Sequence, residues 1–161
     1  MGPGSSCGIA LALALLSFLP LRAAERWYPV GQAANDAALK EHKVVLQAFK
    51  RSNWAGQWSD LVATDSFARL DREVFSSPEF QAFARKHLIL ELLDYSNDFP
   101  ADERTRQMLH QSLQYWEPQI KVYPTLLLHD GEWKELGRRE GYREGQAADV
   151  MAWLRKAARA E

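Results

Sequence analysis

The chain has a single cysteine among its 161 residues, Cys7, and none after it. That absence excludes a disulfide framework, a cysteine-rich metal site and thiol chemistry anywhere past the first few residues. Long apolar runs are also scarce. The longest, Ile9–Leu19, holds 11 residues and is apolar except for Ser17, where crossing a bilayer takes about 20. Charge of one sign is nowhere concentrated: 20 Lys and Arg are interspersed with 21 Asp and Glu, which leaves no footprint for a nucleic-acid partner. The histidines His42, His87, His110 and His129 occur singly, without the paired spacing of a metal site, and read as surface or strand-end residues. No phosphate-cradling or dinucleotide-binding glycine pattern is present. The pattern G-x-S-x-G occurs once, as Gly4-Ser5-Ser6-Cys7-Gly8, but it does not join a strand to a helix as a nucleophile elbow must. No cofactor, no metal and no catalytic residue is expected from the residues themselves.

What is present begins with the N-terminus. The Ile9–Leu19 run is broken by Pro20 and followed by Leu21-Arg22-Ala23-Ala24, small residues of the kind a signal peptidase reads. Residues 1–24 are expected to be a signal peptide, although no Lys or Arg precedes Ile9. Its removal takes away Arg22 and Cys7. That leaves 19 basic and 21 acidic side chains, a net charge of −2, and implies a periplasmic or secreted protein with no membrane span. The remaining residues must be stabilised by packing alone, and they suffice for one domain with its own core.

Residues 25–42 lead into that domain, with a helix expected over Ala33–His42 capped by Asn35 or Asp36. Lys43–Lys50 (K-V-V-L-Q-A-F-K) reads as a buried strand. Helix is expected from Ser66 to Phe75, and Ser77-Pro78 marks another helix start: the serine can accept a free backbone N–H, and proline at the first helical position sacrifices no bond. His87–Tyr95 reads as a second buried strand, Asn97–Ala101 as a turn, and Asp102–Trp116 as a helix with Leu109, Leu113 and Trp116 on one face. Tyr123–His129 is a strand entered through Pro124. Asp130-Gly131 predicts a two-residue hairpin turn into Glu132–Leu136. Arg138–Glu144 alternates in sign and reads as a solvated loop, and Gln146–Ala160 as a closing helix. Trp116, Trp133 and Trp153 read as core or half-buried packing. The order from residue 43 onward, β-α-α-β-α-β-β-α, implies an α/β fold with a mixed central sheet flanked by helices on both faces.

The ordered set K-V-V-L-Q-A-F-K, S-N-W, L-D-R-E-V-F-S-S-P-E-F, V-Y-P-T-L-L-L-H-D-G and K-E-L-G-R with G-Y resembles the thioredoxin-like superfamily over residues 43–161. It looks closest to exported bacterial thioredoxin-fold proteins with a W-C-x-W-C type site. The resemblance implies two cysteines, two residues apart, after the first of these strands. Aligned on Ser52-Asn53-Trp54, the cysteine positions fall on Ala55 and Trp58. Aligned on L-D-R-E-V-F, they fall on Thr64 and Phe67, which implies an insertion over Gly56–Ala68. Neither register holds a sulfur atom, so thiol–disulfide exchange by the family mechanism is excluded.

The resemblance further implies that the Tyr123–Pro124 bond is cis and that the residue before it lends its backbone to an extended peptide. Trp54, Trp58, Tyr123, Pro124 and Thr125 are therefore the candidate peptide-binding residues. The expected role is redox-inactive binding of a protein or peptide partner in the cell envelope or outside the cell. The alternative is an enzyme of glutathione-transferase-like type, in which Ser52 or Thr64 activates a bound thiol. A purely structural role, with the insertion covering the groove, is a third.

Overall fold

The computed structural model describes residues 27–51, 66–96 and 101–158. The proposed signal peptide, Trp54, Trp58, the hydroxyls Ser52 and Thr64 and most of the expected insertion lie outside them, as do residues 97–100 of the expected turn.

A short strand β1 (Trp27–Pro29) precedes helix α1 (Gln32–Glu41) and strand β2 (Val44–Lys50). Residues 66–70 are α-helical and widen into a π-helical turn, Asp71–Phe75. Then follow α2 (Pro78–His87), β3 (Leu88–Asp94), α3 (Glu103–Trp116), β4 (Thr125–His129), β5 (Glu135–Glu140) and α4 (Ala147–Ala157). The strands form one mixed sheet in the order β1-β3-β2-β4-β5. β3 is parallel to β1 and β2, whereas β4 is antiparallel to β2 and β5.

Local chemistry sets several boundaries. Ser77 Oγ accepts the Phe80 N–H (3.1 Å) and Pro78 opens α2. Asp102 Oδ1 accepts the Thr105 N–H (2.7 Å), which caps α3 and holds that carboxyl below its ordinary pKa. Residue 116 is the last of α3, two before Pro118, which disfavours helix in the residue preceding it.

Alternation along the strands sends Val44, Leu46 and Ala48 to one face of the sheet and Val45, Gln47 and Phe49 to the other. On the first face, residues 66–75, α2 and α4 close over one continuous core that includes Leu70, Phe75, Phe80, Leu128, Val150 and Leu154. On the second face, α1 and α3 cover two smaller clusters, Ala34-Ala38-Val45-Ile89 and Phe49-Leu93-Ile120-Leu127. Between those clusters lie Gln47 and Glu91, directly paired in register and both buried. Gln47 Nε2 donates to Glu91 Oε2 (2.6 Å) and the Gly31 N–H to Glu91 Oε1 (3.1 Å).

Some expectations are corrected. Neither Asn35 nor Asp36 caps α1. The helix begins after Gly31, whose φ of 146° and ψ of −174° suit glycine alone, and Glu91 accepts its free N–H from across the sheet. Asn35 instead faces inward and is buried. The hairpin turn is longer than two residues. Asp130 Oδ1 accepts the N–H groups of Glu132 and Lys134, both at 2.9 Å, and the positive φ falls on Trp133 (68°). The aspartate side chain thus organises a five-residue loop, and β5 starts at Glu135. Residues 138–140, read as loop, belong to that strand. Its charged sequence reflects its place at the edge of the sheet. Trp133 is half-buried, 50% exposed with its ring stacked on His129, and His129 is a strand-end residue that is fully buried.

Candidate functional site

β2, β3 and β4 meet at one end of the sheet, where β2 and β3 finish and β4 begins. Lys50 and Asp94, the paired last residues of β2 and β3, form an ion pair at 2.7 Å. Asp94 Oδ1 also accepts the Ser96 N–H (3.0 Å) and the Ser96 hydroxyl. Beside them the Tyr123–Pro124 peptide bond is cis. Pro124 and Thr125 are buried. Thr125 Oγ1 donates to the Val122 carbonyl (2.6 Å), and the Pro124 carbonyl accepts the Gly141 N–H (2.7 Å). The first bond closes the 122–125 segment on itself, and the second ties it to the segment that follows β5.

Tyr123 differs from its neighbours. Its ring is half-buried against Phe49, Leu93 and Ile120, with the Arg51 guanidinium 5.9 Å from its centroid. Burial pushes its phenol pKa up, opposed by Arg51. Its backbone N–H and C=O have no partner among the described residues.

Tyr123 lines an open cleft of about 440 Å³. Val122 and Tyr123 form one wall, Arg139 to Arg143 the other, and Ser66 and Gln146 close it. Val122 is 43% exposed, which gives the rim an apolar element. Tyr142 is buried, and its hydroxyl donates to Glu73 Oε2 (2.6 Å). Burial and the Glu73 carboxylate push that phenol far up, so it stays neutral at physiological pH. No group of three or more His, Cys, Asp or Glu suited to a metal ion occurs among the described residues.

Of the residues singled out from sequence, the structure places Tyr123, Pro124 and Thr125 at this cleft. Tyr123 is the one that faces it, and the other two shape it from behind. The opposite wall was missed, because Arg138–Glu144 reads as a solvated run. A tyrosine between charged residues beside a glycine was the signal that this segment packs.

No protein-family model matches the chain, and no curated protein does. Solved structures do. An oxidoreductase, DsbH, is 19% identical, with 99% of this chain and 96% of that one covered at a TM-score of 0.66. A thioredoxin from Thermus thermophilus is 18% identical over 85% and 89% of the two chains, at a TM-score of 0.59. The C-terminal domain of DsbD from Neisseria meningitidis, in its oxidised form, is 15% identical over 78% and 90%, at 0.51. The fold is thioredoxin-like. Cys7 is the sole cysteine of the sequence, so the fold stands here without a cysteine pair. No helix among the described residues is long and apolar enough to cross a membrane.

Proposed function

We propose that this protein is an exported, redox-inactive thioredoxin-like module that binds an extended protein or peptide segment in the cleft beside Tyr123. The observation that carries the reading is the backbone N–H and C=O of Tyr123, a residue of the cleft wall, which have no partner among the described residues. A free donor and acceptor on one residue can pair with a strand-like segment, which is how extended peptides are taken up. That pairing needs no sulfur. Thiol–disulfide exchange does, and neither register of the sequence supplies it. Export rests on the apolar run of residues 9–19 and the small residues after it. Trp54 and Trp58 remain proposed as aromatic contacts for the same partner.

Anisotropy titration of the mature chain with labelled hexapeptide pools rich in β-branched and apolar residues tests this reading. Binding is expected, and alternate backbone N-methylation is expected to weaken it about tenfold or more, since each net hydrogen bond contributes about 0.5–1.5 kcal/mol. Equal binding of methylated and unmethylated pools removes the proposed pairing. Glutathione, titrated in parallel, is expected to give no signal, whereas saturable binding there favours the hydroxyl-dependent enzyme.

A further inference from the structure

Several arginines among the described residues form ion pairs. Arg69 meets Glu144 at 3.1 Å, Arg138 meets Glu135 at 2.9 Å, and Arg155 meets Glu79. Arg51 and Arg72 approach Glu117 and Glu73 more loosely, at 3.9 and 3.8 Å. Arg139 and Arg143 have no ion pair among the described residues, and both line the cleft beside Tyr123. Arg143 is exposed to water. Arg139 is not so placed: its Nε is buried and has no hydrogen-bond partner.

The contrast within β5 is sharp because Arg138 and Arg139 are neighbours on one strand. Alternation sends them to opposite faces of the sheet. Arg138 forms a two-point contact with Glu135 and donates to the Gln119 carbonyl (3.1 Å). Arg139 points to the face covered by residues 66–75 and α4, where it meets no carboxylate.

Of the acidic groups near the cleft, Glu73 and Glu144 are engaged elsewhere, while exposed Glu140 itself lines the wall beside Arg139. Glu140 alternates to the Arg138 face and acts electrostatically on Arg138. Glu73 accepts the Tyr142 hydroxyl, and Glu144 is held by Arg69. The cleft is thus lined by two guanidinium groups that have no ion pair among the described residues, and the Nε of Arg139 is a buried donor without a partner there. A buried donor left unsatisfied is costly, and its presence calls for an acceptor. A planar guanidinium matches the two oxygens of a carboxylate better than any other acceptor in a peptide.

We propose that Arg139, assisted by Arg143, forms a carboxylate subsite of this cleft, so that the segment taken up is an acidic one. The proposal rests on the peptide-binding reading above. Tyr123 stands on one wall and Arg139 on the other, tied together by the bond from Gly141 N–H to the Pro124 carbonyl (2.7 Å). A segment paired through its backbone to Tyr123 directs a side chain, or its own C-terminus, across the cleft to Arg139.

Three hexapeptide pools of the same apolar background test it by anisotropy with the mature chain. One carries a central Glu and an amidated end, one a central Gln and a free C-terminal carboxylate, and one a central Gln and an amidated end. The expected result is that one of the first two binds about tenfold or more tighter than the third, as charge-assisted bonds of about 1.5–3 kcal/mol require. Which one wins identifies the carboxylate as side-chain or terminal. Arg139→Gln is expected to abolish the preference, read as the ratio of affinities between the pools. Arg139→Lys is expected to keep part of the preference, and Arg138→Gln all of it. Equal binding of all three pools overturns the subsite and leaves the peptide reading standing. Binding by none of them overturns both. A preference that survives Arg139→Gln, in a variant that still melts cooperatively, also overturns it. If Arg139→Gln does not fold, the loss or retention of preference in Arg139→Lys decides.

Discussion

One face of the sheet carries an uninterrupted apolar layer from Val44 to Ala157, while the other carries two smaller clusters with Gln47 and Glu91 side by side between them. The same strands build both, since each alternates its residues between the faces. The first face is held by volume. Phe75 meets Trp27 edge-on and Phe80 at a tilt, both at ring-centroid distances of 5.0 Å, and the helices above supply Leu70, Val150 and Leu154. The second face is held by volume and by satisfied polar contacts, because Glu91 joins β3 to Gln47 of β2 and to the start of α1. The accounting there is incomplete: the side-chain oxygen of Gln47 and both polar atoms of Asn35 are buried without partners. A face built on packing should respond to lost volume. A face built partly on buried polar groups should respond to pH.

The largest expected effect breaks the continuous face. Phe80 is fully buried and touches Phe75 within that core. Phe80→Ala should destabilise the fold by about 3–5 kcal/mol, from lost burial and the cavity left behind. Urea unfolding of the two chains measures it. A cost below about 1 kcal/mol would mean that the layer is not as tightly packed as its burial indicates.

A smaller effect, of opposite character, belongs to the divided face. Desolvation raises the Glu91 pKa above its ordinary 4.5, with the bonds from Gln47 and Gly31 opposing the rise. The folded chain therefore holds a proton that the unfolded chain has already released. The stability tied to that proton is fully present below pH 4.5 and is lost as pH rises through the folded-state value. Glu91→Gln keeps the shape and removes the titration. Its stability relative to the parent should grow as pH rises from 4.5 toward neutrality, in urea melts at stepped pH. A difference independent of pH would place the Glu91 charge in a better solvated setting than its burial indicates.

The same contrast governs what could be read from the sequence. The continuous face announced itself: K-V-V-L-Q-A-F-K and H-L-I-L-E-L-L-D-Y are apolar runs, and the starts of α2 and α3 carry Ser77-Pro78 and Asp102. The polar seam did not, because a Gln or Glu inside a strand looks the same whether it faces water or a partner strand. β1 is three residues long and too short to show a pattern. β5, at the sheet edge, is partly exposed along its length, and its second half, residues 138–140, reads as a charged loop. That misreading hid half of the cleft, since Arg139 lies on β5 and Tyr142 just after it. Pro124 was legible from the residues as the entry to a strand, and its cis bond and place at the site only through the resemblance. The backbone groups of Tyr123 that lack a partner among the described residues leave no trace in the residue types and appear only once the neighbours are placed.

At the far end of β4 from Pro124, His129 offers the finest test of how the second face is sealed. Its Nδ1 lies 2.7 Å from the Asp130 carbonyl and so carries the proton, which leaves Nε2 as an acceptor that is buried without a partner. Trp133 lies over the ring at 4.6 Å, tilted by only 11°, in the left-handed conformation that tryptophan rarely adopts. Burial lowers the His129 pKa below its ordinary 6.5, so the stability this group contributes is present above pH 6.5 and is lost as pH falls through the folded-state value. Trp133→Asn relieves about 1–2 kcal/mol of backbone strain and gives up stacking of about 0.5–1.5 kcal/mol. These nearly cancel, so the melting curve at neutral pH should move little. The imidazole, however, becomes open to water, and its pKa should return toward 6.5 in an NMR titration of the ring protons. An unmoved pKa would show that the strands beneath, and not the indole, keep water from His129.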